Sequence, residues 1–376
     1  LRRQRQMCIR DRSDTTRLNA TAFSNIRPQG GAGSLANRKL VSNWLFLLAF
    51  MIWVMVGIGG YTRDSGSGLS IMKWEPIIGV LPPLSQDAWN KVFALYKTIP
   101  QYQLLHQGMD LAGFKQLFWP EYIHRLWGRL MGAVLLLPLI VFALTGRVEK
   151  RLVPWLVLLF LLGGLQGFIG WFMVSSGFRA DSIAVEGWRL SLHFFGAMFL
   201  FGAVLWTALV IRHPEPARYE GLKGLRGHTI GALVLLLLAM WGGTMVSGIH
   251  GIADFSLKDH IGTGQPPAGW PMSGVLNSTG AIIFGHQLLA VLAALGILTL
   301  TVRALRSELP GPVRDGALIV GGLVILQFIL GVTALVSGRY DIGVAHQMNA
   351  VLLLGGMLFI VFTLRGATRR VKAVAR

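Results

Sequence analysis

The sequence predicts an all-α polytopic membrane protein, with eight transmembrane helices forming two pseudo-symmetric four-helix bundles. Three observations carry that prediction. The 376-residue chain is 53% hydrophobic and 14% charged, with mean hydropathy +0.56, whereas soluble domains carry about 25% charged residues. Several apolar runs reach the roughly 20 residues that a helix needs to cross a bilayer, and they lack the ten-residue alternation of an outer-membrane barrel. An internal repeat then divides the chain in two.

The expected spans are about 43–61, 124–145, 152–174, 190–211, 229–248, 281–302, 316–337 and 344–364. Basic residues orient them, because cytoplasmic loops are rich in Lys and Arg. Arg147, Lys150 and Arg151 lie in one connection. Arg212, Arg218, Lys223 and Arg226 lie in a second, and Arg303, Arg306 and Arg314 in a third. Both termini are basic as well, so both are expected in the cytoplasm, and the net charge of +18 reads as membrane topology rather than nucleic-acid binding. The basic opening LRRQRQMCIRDR has no apolar core and is not a secretory signal. Its Cys8 is the single cysteine, which excludes an intrachain disulfide. The outer side carries two long loops, 62–123 and 249–280, of the length that serves as binding surface or lid.

The repeat aligns LQGFIGWFMVSSG (165–177) with LQFILGVTALVSG (326–338) without gaps. Leu165/Leu326, Gln166/Gln327, Gly170/Gly331, Ser176/Ser337 and Gly177/Gly338 are identical pairs. Histidines keep the same frame: His124 precedes Gln166 by 42 residues, and His286 precedes Gln327 by 41. His193 follows the first glutamine and His346 the second. Four spans per half make the repeats parallel. The expected organisation is a basic tail without fixed structure (1–42), a first half (43–212), a cytoplasmic connection (213–228), a second half (229–365) and a basic tail (366–376).

Of nine histidines, His213 and His228 fall in a cytoplasmic connection, and His106, His250 and His260 in outer loops. The other four, His124, His193, His286 and His346, begin the even-numbered spans, which run from outside to inside. All four imidazoles therefore share one depth near the outer surface. An ionisable side chain inside a span is costly and marks function by default. The competing explanation, a histidine bonding between helices, weakens when it must hold at four equivalent positions. No H-x-x-x-H, H-x-x-H or H-E-x-x-H occurs, which weighs against clustered-histidine di-iron and zincin sites. Single histidines on different helices suit a metal held between helices. Haem is the natural candidate, being flat, apolar and open to imidazole on either face. Two histidines per half make two sites, each inside its own bundle. Gly163, Gly164, Gly167 and Gly170, and Gly321, Gly322 and Gly331, would let a macrocycle approach the backbone; ordinary close helix packing explains them equally well. Arg63, Arg125, Arg129, Arg189 and Arg339 lie near the same level and suit haem propionates, with snorkelling to the interface as the alternative.

The stretches GGYTRDSGSGLSIMKWEPIIGVLPPLSQDAWNKVFALYKTIPQY, FWPEYIHRLWGR, WFMVSSG, RLSLH and GHQLLA together resemble haem A synthases of the mitochondrial and α-proteobacterial type. The resemblance covers about residues 40–365, and its first two stretches are the specific ones. It implies an oxidoreductase that converts a methyl substituent of haem O to the formyl group of haem A, in the haem A biosynthesis that serves cytochrome oxidase. It implies haem O as substrate, supplied by a haem O synthase, haem b (iron) as cofactor, and an electron donor or acceptor. It also implies membrane lipid as surroundings and no nucleic-acid partner, leaving self-association open. The location implied is a bacterial inner membrane, or the mitochondrial one in a eukaryote. Matched residue by residue, Glu121, His124 and His193 belong to the substrate half, and His286 and His346 are the axial pair of haem b. Glu121, three residues before His124, is the expected proton acceptor, since methyl oxidation releases protons; its alternatives are a helix-start carboxylate or a partner for Arg125. Two departures stand out. Some relatives carry a cysteine pair in an outer loop, which this chain lacks, and 249–280 matches poorly apart from WPM. Two other classes use the same features: a quinol-linked di-haem b-type electron-transfer protein, which has no task for Glu121, and a transporter, whose charges belong nearer mid-membrane.

Overall fold

A computed structural model describes residues 33–75, 79–180, 182–248, 279–306 and 308–369. Within them the chain is helical, and eight helices are long and apolar enough to cross a membrane. They are α1 (Gly33–Asp64), α4 (Leu111–Leu144), α5 (Val153–Val174), α6 (Gly187–Arg212), α7 (Lys223–Gly248), α8 (Thr279–Arg306), α9 (Gly311–Ser337) and α10 (Tyr340–Thr363). The expected spans fall inside these helices to within one residue at each end. All but α5 run longer, because hydropathy marks only the part in lipid, whereas the backbone continues to bond into the polar ends. The largest extension is at α4. Asp110 caps it by accepting the Gly113 N–H at 2.8 Å, so the helix is already formed well before Glu121. That removes the reading of Glu121 as a helix-start carboxylate. At the other extreme α9 stops at Gly338, whose φ of 63° is left-handed and suits glycine.

The helices pack in an order that follows the repeat. In the first half α1 packs on α4 and α6, α4 on α5, and α5 on α6. In the second half α7 packs on α8 and α10, α8 on α9, and α9 on α10. The halves meet along α1–α10, α6–α7 and α6–α10. Trp53 Nε1 donates to the Met348 carbonyl at 3.0 Å across the first of these seams, and Ser191 and Thr244 hydroxyls lie 2.7 Å apart across the second.

Packing is uneven along the helices. At one end Leu45, Leu156, Ile211, Leu225, Leu300 and Ile360 are fully buried, and residues 207–211 are buried without a break. At the other end residues 193–197, 284–287 and 342–348 are all only half-buried. The molecule is closely packed where the sequence is purely apolar, and more open at the level of the four span histidines.

The connection between α1 and α4, which is 65–110 and not the expected 62–123, contains a small folded cap. Two helices, α2 (Gln86–Tyr96) and α3 (Pro100–Leu105), lie against the first turns of α4. Trp89, Phe93, Tyr96, Phe114, Phe118 and Tyr122 form an aromatic core there, with Phe93 and Phe114 stacked at 5.0 Å. Residues 33–42, expected in the N-terminal tail, form the first turns of α1; Cys8, the remaining tail residues 1–32 and 370–376, and nearly all of loop 249–280, with His250 and His260, lie outside the described residues.

Candidate functional site

The two halves place their histidines in the same way. His124 on α4 rests against α1, where a Cβ on Gly59 would sit 3.2 Å from its Nε2. His286 on α8 rests against α7, where Cβ atoms on Gly242 and Gly243 would lie 3.1–3.2 Å from it. His193 on α6 lies along α5, and a Cβ on Gly170 would be 2.9 Å from its Cε1. His346 on α10 lies along α9, with Gly331 in the equivalent place at 2.8 Å. Gly170 and Gly331 are thus required by the close approach of a ring. Gly163, Gly164, Gly167 and Gly322 border open space, whereas Gly321 packs on Thr301. The rings of each half are near enough to interact electrostatically, His124 with His193 and His286 with His346.

Hydrogen bonds separate the halves. His286 Nδ1 is 2.9 Å from the Ala239 carbonyl, and His346 Nδ1 is 3.1 Å from the Gln327 carbonyl. Both rings therefore donate from Nδ1, the tautomer whose Nε2 can ligate a metal; at His346 that Nε2 accepts from the Gln327 side-chain amide at 3.0 Å, a bond that a metal would replace. His193 is held by the Gln166 side chain instead, whose Nε2 reaches its Nδ1 at 3.1 Å and its carbonyl at 2.6 Å. Among the described residues the His124 ring has no hydrogen-bond partner. The glutamines are legible in the sequence only as identical repeat positions; their contact with histidine comes from the fold.

Glu121 is 3% exposed. Its Oε2 accepts from Ser70 Oγ at 2.7 Å and the Ile71 N–H at 2.8 Å, and its Oε1 accepts from Arg125. Arg125 also donates to the carbonyls of Lys73, at 2.7 Å, and Ile71. One turn further along α4, Arg129 donates to the Glu75 carbonyl at 2.6 Å. Together they bind the chain after α1 to the face of α4. The other candidate arginines are also engaged. Arg63 pairs with Asp64 and donates to the Ser247 carbonyl. Arg189 pairs with Glu186 at 2.9 Å and lies over the Phe172 ring. Arg339 is exposed and paired with Asp341.

Above Glu121 the cap holds a buried polar group that the sequence did not single out. Tyr96 Oη is 2.6 Å from His106 Nδ1 and 3.1 Å from Gln101 Oε1. Burial, and then the charge of Glu121, push the Tyr96 phenol above its usual range, and burial lowers the His106 imidazole.

A haem fits these residues in two respects. The helices are loosely packed at the histidine level, and each half offers two imidazoles from different helices backed by glycine. Among the described residues no three His, Cys, Asp or Glu side chains cluster as a metal-ion site, and a porphyrin, which itself supplies four nitrogens, asks for only two protein ligands.

Fold and site define a multi-pass helical membrane protein with two repeat-related histidine pairs. Residues 42–358 match the family model described as cytochrome oxidase assembly protein. Heme A synthase 2 of Acidiphilium cryptum (strain JF-5) is 47% identical over 348 residues, covering 89% of this chain and 94% of the relative. Heme A synthase of Granulibacter bethesdensis is 46% identical over 336 residues, covering 89% of each. A second Acidiphilium cryptum protein, Heme A synthase 1, is 38% identical over 348 residues, covering 91% of this chain and 96% of the relative. The chain belongs to the cytochrome oxidase assembly protein family, among its haem A synthases.

Proposed function

We propose that this protein is an oxidoreductase that makes haem A from haem O, for cytochrome oxidase. The observation that carries the reading is the pair of repeat-related histidine sites, one with both rings anchored on backbone carbonyls and one without, in a chain so similar to haem A synthases. The substrate belongs in the first half, between His124 and His193. Haem b belongs in the second half, between His286 and His346. Bound there, haem b would supply reversible one-electron chemistry, passing electrons to an acceptor. The halves act as two four-helix units, 43–212 and 229–365, joined by the connection 213–228.

The chain's own residues divide the remaining work. His124 and His193 would hold the iron of the substrate. Glu121, buried and one turn from His124 on α4, takes up protons released by the oxidation; to do so its carboxylate gives up one of its four donors, Ser70 Oγ, the Ile71 N–H and two nitrogens of Arg125. Two or three of Arg63, Arg125, Arg129, Arg189 and Arg339 are the proposed propionate partners, each adding a carboxylate to the bonds already described or exchanging one for it. The aromatic cap excludes water over the first half. The membrane is the bacterial inner membrane, with both termini cytoplasmic. Reporter fusions after Arg151, Arg218 and Arg306 should report cytoplasm, and one near residue 90 the outer side.

The direct test is to purify the protein from haem-replete membranes, record its absorption spectrum and identify the extracted pigments by mass. Haem b with haem O or haem A is the expected result. Haem b alone would favour an electron-transfer role, and a colourless protein would contradict both.

A further inference from the structure

Between Glu75 and Ser85 the sequence reads PIIGVLPPL, a stretch with no charged or hydrogen-bonding side chain. Its described part, 79–84, leads into the cap. Leu81 is 72% and Leu84 78% exposed, the most of any large apolar side chain described between α1 and α4, and Val80 is exposed as well. Single exposed leucines are ordinary on a surface that faces water, so the position of these residues decides what they do.

Two side chains of α4 hold the segment. Tyr122 Oη donates to the Val80 carbonyl at 2.5 Å. Arg129 donates to the Glu75 carbonyl, which also accepts the Gly79 N–H at 3.2 Å. Glycine is required at 79, because a Cβ there would lie 2.9 Å from Arg129 Nη2. Arg129 directly precedes 130–144, a run without a charged residue, and so marks where α4 passes into hydrocarbon. Tyr122 lies about 10 Å further out along the helix, at a rise of roughly 1.5 Å per residue. The segment is therefore tied to the membrane boundary. Next to Tyr122 begins a stripe of exposed residues at helical spacing, Ile123, Leu126, Leu130, Leu137 and Val141, the face that α4 turns to lipid.

Tryptophans mark the same level. Trp74, itself exposed, stacks on Trp171 of α5 at 5.5 Å, and Trp119, exposed on α4, meets Trp89 of α2 edge-on at 5.9 Å. Tryptophan gathers where headgroups meet acyl chains. The backbone suits lipid too, where unsatisfied polar groups are costly. Pro82 and Pro83 bring no N–H, and the Gly79 N–H and Val80 carbonyl are both bonded. The character changes at Ser85. Its Oγ accepts the Ala88 N–H at 3.1 Å to start α2, whose exposed Asp87 and Lys91 pair at 2.6 Å.

We propose that residues 79–84 form a membrane anchor, with Leu81 and Leu84 inserted among the acyl chains of the leaflet on the cap side. The anchor holds the cap against the bilayer over the first half. Its partner is lipid, whichever pigment either half binds.

Spin labels test this in the full-length chain. In a Cys8→Ser background, Leu81→Cys, Leu84→Cys and Lys91→Cys are labelled and reconstituted into vesicles of phosphatidylcholine and phosphatidylglycerol. Collisions with oxygen, which concentrates in lipid, are compared with collisions with a water-soluble nickel chelate. A far-UV circular dichroism spectrum like that of the unlabelled protein shows that each variant is folded. The oxygen-to-nickel ratio should be several-fold higher at 81 and 84 than at 91, which faces water. Labels at 81 and 84 as open to nickel as the one at 91 would overturn the proposal by placing the segment in water. Labels shielded from both reagents would overturn it too, because protein, such as a second copy of this chain, would then cover the leucines.

Discussion

In the second half, His286 and His346 each bind a backbone carbonyl through Nδ1. In the first half, His193 is bound by a side chain, and His124 rests on Gly59 with no ring hydrogen bond among the described residues. The sequence around the four is otherwise parallel, from the glutamines to the glycines beneath the rings. Backbone carbonyls cannot rotate away, whereas an amide side chain can turn over and an unbonded ring can swing. The halves therefore present the same ligand chemistry with different freedom. The first half also carries the aromatic cap and Glu121, tied to Ser70, Ile71 and Arg125. Fixed ligands suit a group that stays, and freer ones under a folded cap suit a group that reacts and departs.

The comparison can be broken most forcefully at Glu121, which has an acid in one half and no described counterpart in the other. Glu121→Gln should keep haem b but lower haem A per haem b by about 10²–10⁴-fold, the usual cost of losing a general base. The amide cannot accept from every donor that now faces the carboxylate, so protein yield should fall too. Normalising haem A to haem b separates the effects. A ratio near wild type would end the catalytic role and leave Glu121 as the clamp on the chain after α1.

A matched pair of glycines sharpens the comparison. Gly170→Ala and Gly331→Ala each place a Cβ within 2.9 Å of a ring, that of His193 or His346. Overpacking of this kind costs about 1–3 kcal/mol. Gly331→Ala should reduce haem b retained on purification. Gly170→Ala should reduce haem A while the haem b spectrum persists. Equal effects on both pigments from either variant would argue that the halves are not separable.

The smallest expected effect concerns the cap. Burial lowers the His106 pKa, so the folded cap favours the neutral ring that accepts from Tyr96. Below the ordinary histidine value of about 6.5 the unfolded cap binds more protons than the folded one, so cap stability there rises with pH and falls on acidification. Protection of the 86–105 amides, measured as exchange relative to the intrinsic rate at each pH, should fall as the pH drops below that value, and His106→Asn should remove that loss of protection. The haem b spectrum should be indifferent to both changes, since the cap lies on the first half.

Much of this architecture is legible in the amino-acid sequence. Eight apolar runs, the basic connections and the 165–177/326–338 repeat establish the number of spans and their pairing in sequence. The histidine frame picks out all four rings. What is not legible depends on contacts between distant segments. Nothing in a single sequence tells that Ser70 and Arg125 share the carboxylate of Glu121, or that Tyr96 meets His106. The start of α4 is also hidden, because hydropathy drops where a helix leaves lipid while its hydrogen bonding does not. The fold, not the sequence, sets Gln166 and Gln327 beside the rings.

The central claim, that like histidine pairs hold a resident haem in one half and a substrate in the other, is tested most directly by reduced-minus-oxidised spectra of His124→Ala, His193→Ala, His286→Ala and His346→Ala, purified side by side. The account predicts that the first two keep the haem b spectrum and yield no haem A, while the last two lose the haem b spectrum. Loss of haem b from folded His124→Ala or His193→Ala, with its retention in His286→Ala and His346→Ala, would contradict it.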